Sequence, residues 1–185
     1  MLSQFTKEGD HQTLADIDFQ FPKDAYPVGR LDADSEGMLL LTNNKNLNHR
    51  LLNPAYSHNR TYLIQVERNI TEDACKEIEA GVTISVDGKK YSTIPCKVVK
   101  VEQPDTIPDR NPPVRFRKSI PTSWIQMTLI EGKNRQVRKM TAAVGFPTLR
   151  LIRTAIEDLS LDDMKQGEVK ELKEGIVFRL LKLRA

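Results

Sequence analysis

The chain has 185 residues, 39% of them apolar and 29% charged, with a formal net charge of +3. It is long enough for one substantial core and has no apolar run near the roughly 20 residues of a membrane span. No signal-peptide layout opens it, and Cys75, Cys96, His11, His49 and His58 are scattered, so a reduced cytoplasmic protein without structural zinc is expected.

In chain order, residues 38–42 (MLLLT) read as a buried strand ended by the turn pair Asn43-Asn44. Leu47, Leu51 and Leu52 suggest a short helix that Pro54 terminates. Residues 60–66 (RTYLIQV) alternate and are rich in β-formers, which predicts a strand. Thr71 is an N-cap for a helix with Glu72 and Asp73 in its first turn and Gly81 at its end. A hairpin follows: 82–86, the turn Asp87-Gly88, then 91–101.

Residues 102–122 hold five prolines and read as a long loop carrying Arg110, Arg115, Arg117 and Lys118. The strand WIQMTLI, 124–130, places Trp124, Gln126 and Thr128 on one face. Residues 132–145 are expected to be helical, with the apolar stripe Val137, Met140 and Val144 and a stop at Gly145. A further strand, 148–156, and a tail from Lys173 that fits either strand or helix complete the chain. Interleaved strands and helices with a hairpin among them indicate the α+β class.

Charge is unevenly distributed. Residues 1–109 carry 12 Lys/Arg against 17 Asp/Glu, whereas residues 110–153 carry 10 Lys/Arg and one acid, Glu131. Such a basic block suits a polyanion, with nucleic acid first; a basic face neutralised by neighbouring acids after folding is the plain alternative.

Two constellations stand out. In GRLDADSEG, 29–37, glycines bracket Arg30, Asp32, Asp34 and Glu36. An extended loop would point the three acids one way, which suits Mg²⁺; a plain acidic turn accounts for them equally well. In EGKNRQVRKM, 131–140, Arg135, Arg138 and Lys139 are spaced to share one helical face. Lys133 and the helix N-terminus add positive potential there, although a solvated face is the commoner reason for such a run.

Together these stretches resemble pseudouridine synthases of the RsuA-type ribosomal branch, in the right order along nearly the whole chain. GRLDADSEGMLLLTNN is similar to the family signature, RTYLIQV to its tyrosine-bearing strand and EGKNRQVRKMTAAVGFPTLRLIR to its third motif. RNPPVRFRKSIPTSW is similar to the E-type large-subunit enzymes.

The resemblance implies a single catalytic domain over 1–185, in two subdomains, with a mixed, mainly antiparallel sheet, flanking helices and a central cleft. It implies Asp32, Tyr62 and Arg138 as catalytic residues: the aspartate, the tyrosine stacked on a flipped uracil, and the basic residue paired with the aspartate. Arg30 would enter the RNA as the base leaves. Arg115, Arg117, Lys118, Lys133, Arg135 and Lys139 complete the expected RNA contacts. The implied partner is 23S (large-subunit) ribosomal RNA, met by a monomer with no cofactor, no metal and no membrane, which displaces the magnesium reading. An RNA-binding or ribosome-assembly protein without catalysis is the rival. Many relatives begin with an S4-type RNA-binding domain, absent here, and with a Lys-Pro strand that would precede Leu2, so a missing first strand is expected. Glu157 stands where the family commonly has glycine.

Overall fold

The computed structural model describes residues 1–105, 107–114, 120–162 and 164–183. A 3₁₀ turn, Leu14–Asp16, precedes three short strands, β1 (Tyr26–Pro27), β2 (Glu36–Gly37) and β3 (Leu41–Thr42). β1 pairs antiparallel with β3, whereas β2 runs parallel to a later strand. The strand expected over 38–42 is therefore divided. Gly37, at φ +103, turns the chain out of one pairing, and residues 38–40 carry it across to the next. Their backbone stays bonded, Met38 N–H to the Arg153 carbonyl and Val28 N–H to the Leu40 carbonyl, each at 2.8 Å.

Helix α1 (Lys45–Leu52) begins at Asn44, whose side-chain oxygen accepts from the N–H groups of Asn46 and Leu47 at 3.0 Å. It buries Leu47 and Leu51 and ends ahead of Pro54, as expected. Strand β4 (Arg60–Glu67) leads to α2 (Glu72–Ala80), capped by the Thr71 hydroxyl. At Gly81 the backbone has φ +97, and an added Cβ would stand 2.5 Å from the Thr93 carbonyl oxygen. Only glycine fits there.

The hairpin β5 (Thr83–Val86) and β6 (Lys89–Ser92) turns through Asp87-Gly88, both at positive φ. Its second arm is shorter than expected. Pro95 cannot donate to a ladder, the Ile94 N–H goes instead to the Glu131 carboxylate, and β7 (Lys97–Val101) joins the main sheet. There follow β8 (Thr122–Leu129), α3 (Gln136–Ala143), β9 (Thr148–Ile156), β10 (Leu159–Ser160) and α4 (Glu174–Leu180), which makes the tail helical.

The main sheet runs β10-β9-β4-β8-β7, with β2 beside β9. Every neighbouring pair is antiparallel except β2–β9. This is the α+β, mixed and mainly antiparallel architecture expected. One face supplies Ile64, Val66, Ile125 and Met127, fully buried with Ile78 of α2 and Met140 of α3. Each such side chain contributes about 1.5–3 kcal/mol of burial free energy. The other face carries Leu63, Trp124 and Ile152, with Val101 and Ile107 packed on them. A separate cluster ties Val28, Met38 and α1 to Ile156 and the C-terminal Leu181 and Leu183. Among the described residues no helix is long and apolar enough to cross a membrane.

Candidate active site

The charged loop 29–37 is a closed turn, not an extended segment. The Ser35 N–H donates to the Asp32 carbonyl at 2.8 Å, so Asp32, Ala33, Asp34 and Ser35 form a four-residue turn. Both ends are fixed. At the entrance the Ser3 hydroxyl accepts from the Leu31 N–H at 3.0 Å and donates to the Leu31 carbonyl at 3.1 Å. At the exit Gly37 pairs with Arg153 of β9, so closely that a Cβ on Gly37 would lie 2.3 Å from the Arg153 carbonyl oxygen.

Helix α3 brings the arginines to this turn. Glu131, buried at 5% exposure, accepts from Gln136 Nε2, the Tyr91 hydroxyl and the Ile94 N–H. The Gln136 Oε1 in turn accepts from the Lys133 N–H at 2.9 Å. This brace sets the approach to α3, and Arg135 enters it in the left-handed region, at φ +51. Arg135 is therefore the residue before the helix and not the first member of a helical face; only Arg138 and Lys139 of the expected trio are helical. Lys133 lies further out, its ammonium 5.0 Å from the Tyr91 ring centroid.

The left-handed turn aims the Arg135 guanidinium at both aspartates. It makes two 3.0 Å hydrogen bonds to the Asp34 carboxylate and lies 3.5 Å from Asp32 Oδ2. Arg138 Nη2 donates to the Asp34 carbonyl at 2.9 Å and to the Ser35 hydroxyl at 3.2 Å, and stands 3.4 Å from Asp34 Oδ2. The expected direct Asp32–Arg138 pair is thus replaced: among the described residues, the ion pair of Asp32 is with Arg135. Distance is the reason, because Arg138 is anchored to the next acid and the turn backbone. The hydrogen bonds from Arg135 hold the Asp34 carboxyl below the usual carboxylate range. Burial pushes the Arg138 guanidinium down, opposed by the charge of Asp34, and its Nε has no partner among the described residues.

Glu36 points elsewhere. It takes a two-pronged contact from Arg150, Nε at 2.9 Å and Nη2 at 2.8 Å, and Arg110 Nε lies 3.5 Å away. Arg150 also donates from Nη1 to the Pro108 carbonyl at 2.8 Å, pinning the proline-rich segment to the sheet. Among the described residues the three acids are thus shared by four arginines and do not converge.

Tyr62, in β4, lies opposite Arg153 of β9, next to an irregularity in the pairing at Thr61/Tyr62. The Arg153 guanidinium is buried, donates from Nε to the Met38 carbonyl at 2.8 Å and, among the described residues, leaves Nη2 without a hydrogen-bond acceptor. Burial lowers its pKa, and the neighbouring Tyr62 hydroxyl offsets part of that. Arg153 links the tyrosine strand to the loop exit, a role that its place inside a predicted strand hid. Glu131, Gln136 and Arg150 lay within the quoted motif stretch but were given no role; that Glu131 is the one acid in a basic block was the available signal. Arg30 is exposed and has no side-chain partner among the described residues, and Lys139 is half-buried. Arg115, Arg117 and Lys118 lie outside the described residues.

Residues 4–143 match the family model described as RNA pseudouridylate synthase. The chain belongs to that family. It is 46% identical over 173 residues to the ribosomal large subunit pseudouridine synthase E of Vibrio parahaemolyticus, covering 93% of this chain and 69% of the relative. The enzyme of the same name from Xanthomonas axonopodis is 43% identical, over 88% of this chain and 83% of its own length. A crystal structure of a pseudouridylate synthase superimposes with a TM-score of 0.72 at 27% identity, over 93% of this chain and 66% of that one. Membership makes the chain an isomerase of RNA uridines. The family resemblance read from the motifs and the pairing of loop 29–37 with α3 therefore agree.

Proposed function

We propose that this chain isomerises one uridine of 23S ribosomal RNA to pseudouridine in the cytoplasm, with Asp32 as the catalytic carboxylate. One observation carries the assignment of the site: Asp32 and Asp34 on the glycine-bracketed turn face Arg135 and Arg138 at 3.0–3.5 Å, across 101–104 positions of sequence. Large-subunit action is supported by the relatives' names, and the basic block suits a polyanion.

The reaction detaches uracil from ribose at nitrogen, rotates it and rejoins it through carbon. Bonds broken and formed nearly balance, so the chemistry demands neither an energy source nor electrons from a redox partner. It demands a rigid carboxylate in a site the base can enter. The closed turn supplies rigidity, and Arg135 holds positive charge beside Asp32. A stacked base is out of reach, so the uridine flips, with Tyr62 as its stacking surface and Arg30 filling the gap it leaves. Arg115, Arg117, Lys118, Lys133, Arg135 and Lys139 contact phosphates, with Arg138 positioning the turn. The protein acts as one domain and as a monomer.

Pseudouridine mapping in ribosomal RNA from cells with and without the gene tests the substrate. Tritium release from 5-labelled uridine tests the carboxylate. Asp32→Asn is expected to abolish release while RNA binding stays within a few fold; substantial release by this variant overturns the assignment.

A further inference from the structure

A pocket of about 260 Å³ opens between the sheet and the proline-rich segment. Its floor is one row across three strands: Arg150 lies opposite Gln65, and Gln65 opposite Trp124. These floor groups are engaged. Arg150 is held by Glu36 and the Pro108 carbonyl, Gln65 Nε2 donates to the Thr122 hydroxyl at 3.0 Å, and Trp124 is 7% exposed in the apolar cluster with Leu63 and Ile152. The rim is different. Gln103 and Asp109 have no side-chain partner among the described residues, and Arg110 has only its 3.5 Å contact with Glu36.

Three features select the ligand. The volume admits a single nucleobase and no duplex. Asp109, a carboxylate at the junction of the acidic stretch and the basic block, repels a phosphate and accepts from N–H groups. Arg110, its chain neighbour, donates to carbonyl or ring-nitrogen acceptors. Among the bases, guanine presents adjacent N1–H and N2–H donors for a carboxylate beside the O6 and N7 acceptors an arginine prefers. The location fits an RNA strand already held at the active site. Glu36, which touches Arg110, is four positions from Asp32, and the Arg110 charge reaches Arg138.

We infer that this pocket, rimmed by Gln103, Asp109 and Arg110, takes an unstacked guanine flanking the target uridine. The guanine N1–H and N2–H donate to Asp109, Arg110 donates to O6, and the Gln103 amide closes the rim. The inference rests on the proposed isomerase function. It gives the enzyme a second point of base readout besides the flipped uracil.

The test replaces each guanosine flanking the modified uridine, one at a time, with inosine, which lacks the 2-amino group. Isomerisation is then measured with the wild-type chain and with Asp109→Ala and Gln103→Ala, both exposed positions outside the catalytic turn. One inosine position is expected to slow the wild type on the order of ten-fold. The same substitution should cost Asp109→Ala nothing further, and Gln103→Ala should slow turnover on the unmodified RNA. Insensitivity to inosine at every position, or equal sensitivity in wild type and Asp109→Ala, overturns the pocket assignment while leaving the isomerase reading intact. If the wild type isomerises no uridine in ribosomal RNA, the proposed function fails and the pocket assignment with it.

Discussion

Gly37 and Arg153 meet backbone to backbone: an added Cβ on Gly37 would lie 2.3 Å from the Arg153 carbonyl oxygen and 2.6 Å from its nitrogen. The same Arg153 grips the Met38 carbonyl through Nε, so main chain and side chain together close the exit of the turn. Both clashing atoms are backbone, which cannot swing away. Gly37 also has φ +103, a conformation other residues adopt at a cost of about 1–3 kcal/mol. Gly37→Ala should therefore destabilise the fold by at least about 2 kcal/mol in denaturant titration. Gly9, with φ +56 and open space around it, is the control. Its alanine variant should lose less, and equal losses would show that the close approach is unimportant.

Arg150 and Glu36 make a clamp that is independent of the aspartates. The Arg150 side chain is 5% exposed, so removing Glu36 leaves a buried charge, at about 3–5 kcal/mol, whereas removing Arg150 leaves a carboxylate that is 31% exposed and still faces Arg110. Arg150→Met should therefore destabilise the chain by about 1–2 kcal/mol, less than Glu36→Gln alone. It should also speed proteolysis between β7 and β8, since the Pro108 carbonyl loses its donor. Adding Glu36→Gln should cost less than the two single losses combined. Additive losses with unaltered proteolysis would refute the clamp.

Much of the site was legible because it is written in local motifs. Glycines at 29 and 37, acids at alternate positions and a basic run before α3 need no fold to be noticed. What escaped was everything set by through-space geometry. Glu36 shares the parity of Asp32 and Asp34, yet the Asp32–Ser35 turn breaks that parity and sends it to Arg150. Arg135 and Arg138 are correctly spaced for one helical face, but the left-handed φ at Arg135 puts it ahead of the helix, where it and not Arg138 reaches Asp32. The strand at 38–42 failed for a similar reason: an apolar run says buried, while Gly37 decides where pairing changes sheets. The long strands β4 and β8 were legible because residues 60–66 and 124–130 alternate and are rich in β-formers.

Asp34 and Arg135 form a titratable couple whose direction is clear. Hydrogen bonds from Arg135 depress the Asp34 pKa. A depressed carboxyl stabilises the folded chain above its ordinary pKa, and that contribution is lost as pH falls through the lower folded value. Arg135→Ala should move the Asp34 titration, followed by carboxyl NMR, up towards the usual carboxylate range. Asp34 is 44% exposed in its side chain, so the change in stability should be small. An unmoved titration would mean that the guanidinium is not held there in solution.

Glu157 has φ +50, a backbone conformation that favours glycine. Its carboxylate compensates. It accepts from the Asn59 N–H at 2.6 Å, lies 3.5 Å from His58 Nδ1 and 3.3 Å from Lys182 Nζ, and is 6% exposed. Glu157→Gly should be close to neutral, since relief of the strained backbone, about 1 kcal/mol, offsets lost contacts. Glu157→Ala keeps the strain without the contacts and should cost about 1–3 kcal/mol. His58 adds a pH signature. Burial lowers its pKa and Glu157 partly restores it. The unfolded chain therefore binds the proton more readily, so His58 favours folding above its ordinary pKa and stability falls as pH drops towards its folded value. Without Glu157 the folded value is lower still, and the loss should extend to lower pH in thermal melts. Parallel pH profiles for wild type and Glu157→Ala would reject this coupling.

Arg30 offers the sharpest functional test, because it is exposed and free of partners among the described residues. No contact among the described residues depends on it, so Arg30→Ala should leave the thermal midpoint unchanged, and any loss of activity reports on RNA alone. Two roles compete. A phosphate contact would weaken binding to all RNAs alike and lower the slope of log affinity against log salt by about 0.7 for a single strand. An inserted side chain would instead compensate for the gap left by the flipped base. That gap costs most where stacking is continuous, so turnover should drop more on a structured ribosomal RNA fragment than on a short flexible strand bearing the same uridine. The flexible strand has little stacking to lose and should be modified nearly as fast by the variant. We expect the second pattern, with the salt slope unchanged. Equal losses on both substrates, with a shallower salt slope, would assign Arg30 to the phosphate backbone and leave the space behind the flipped base to be filled by another residue.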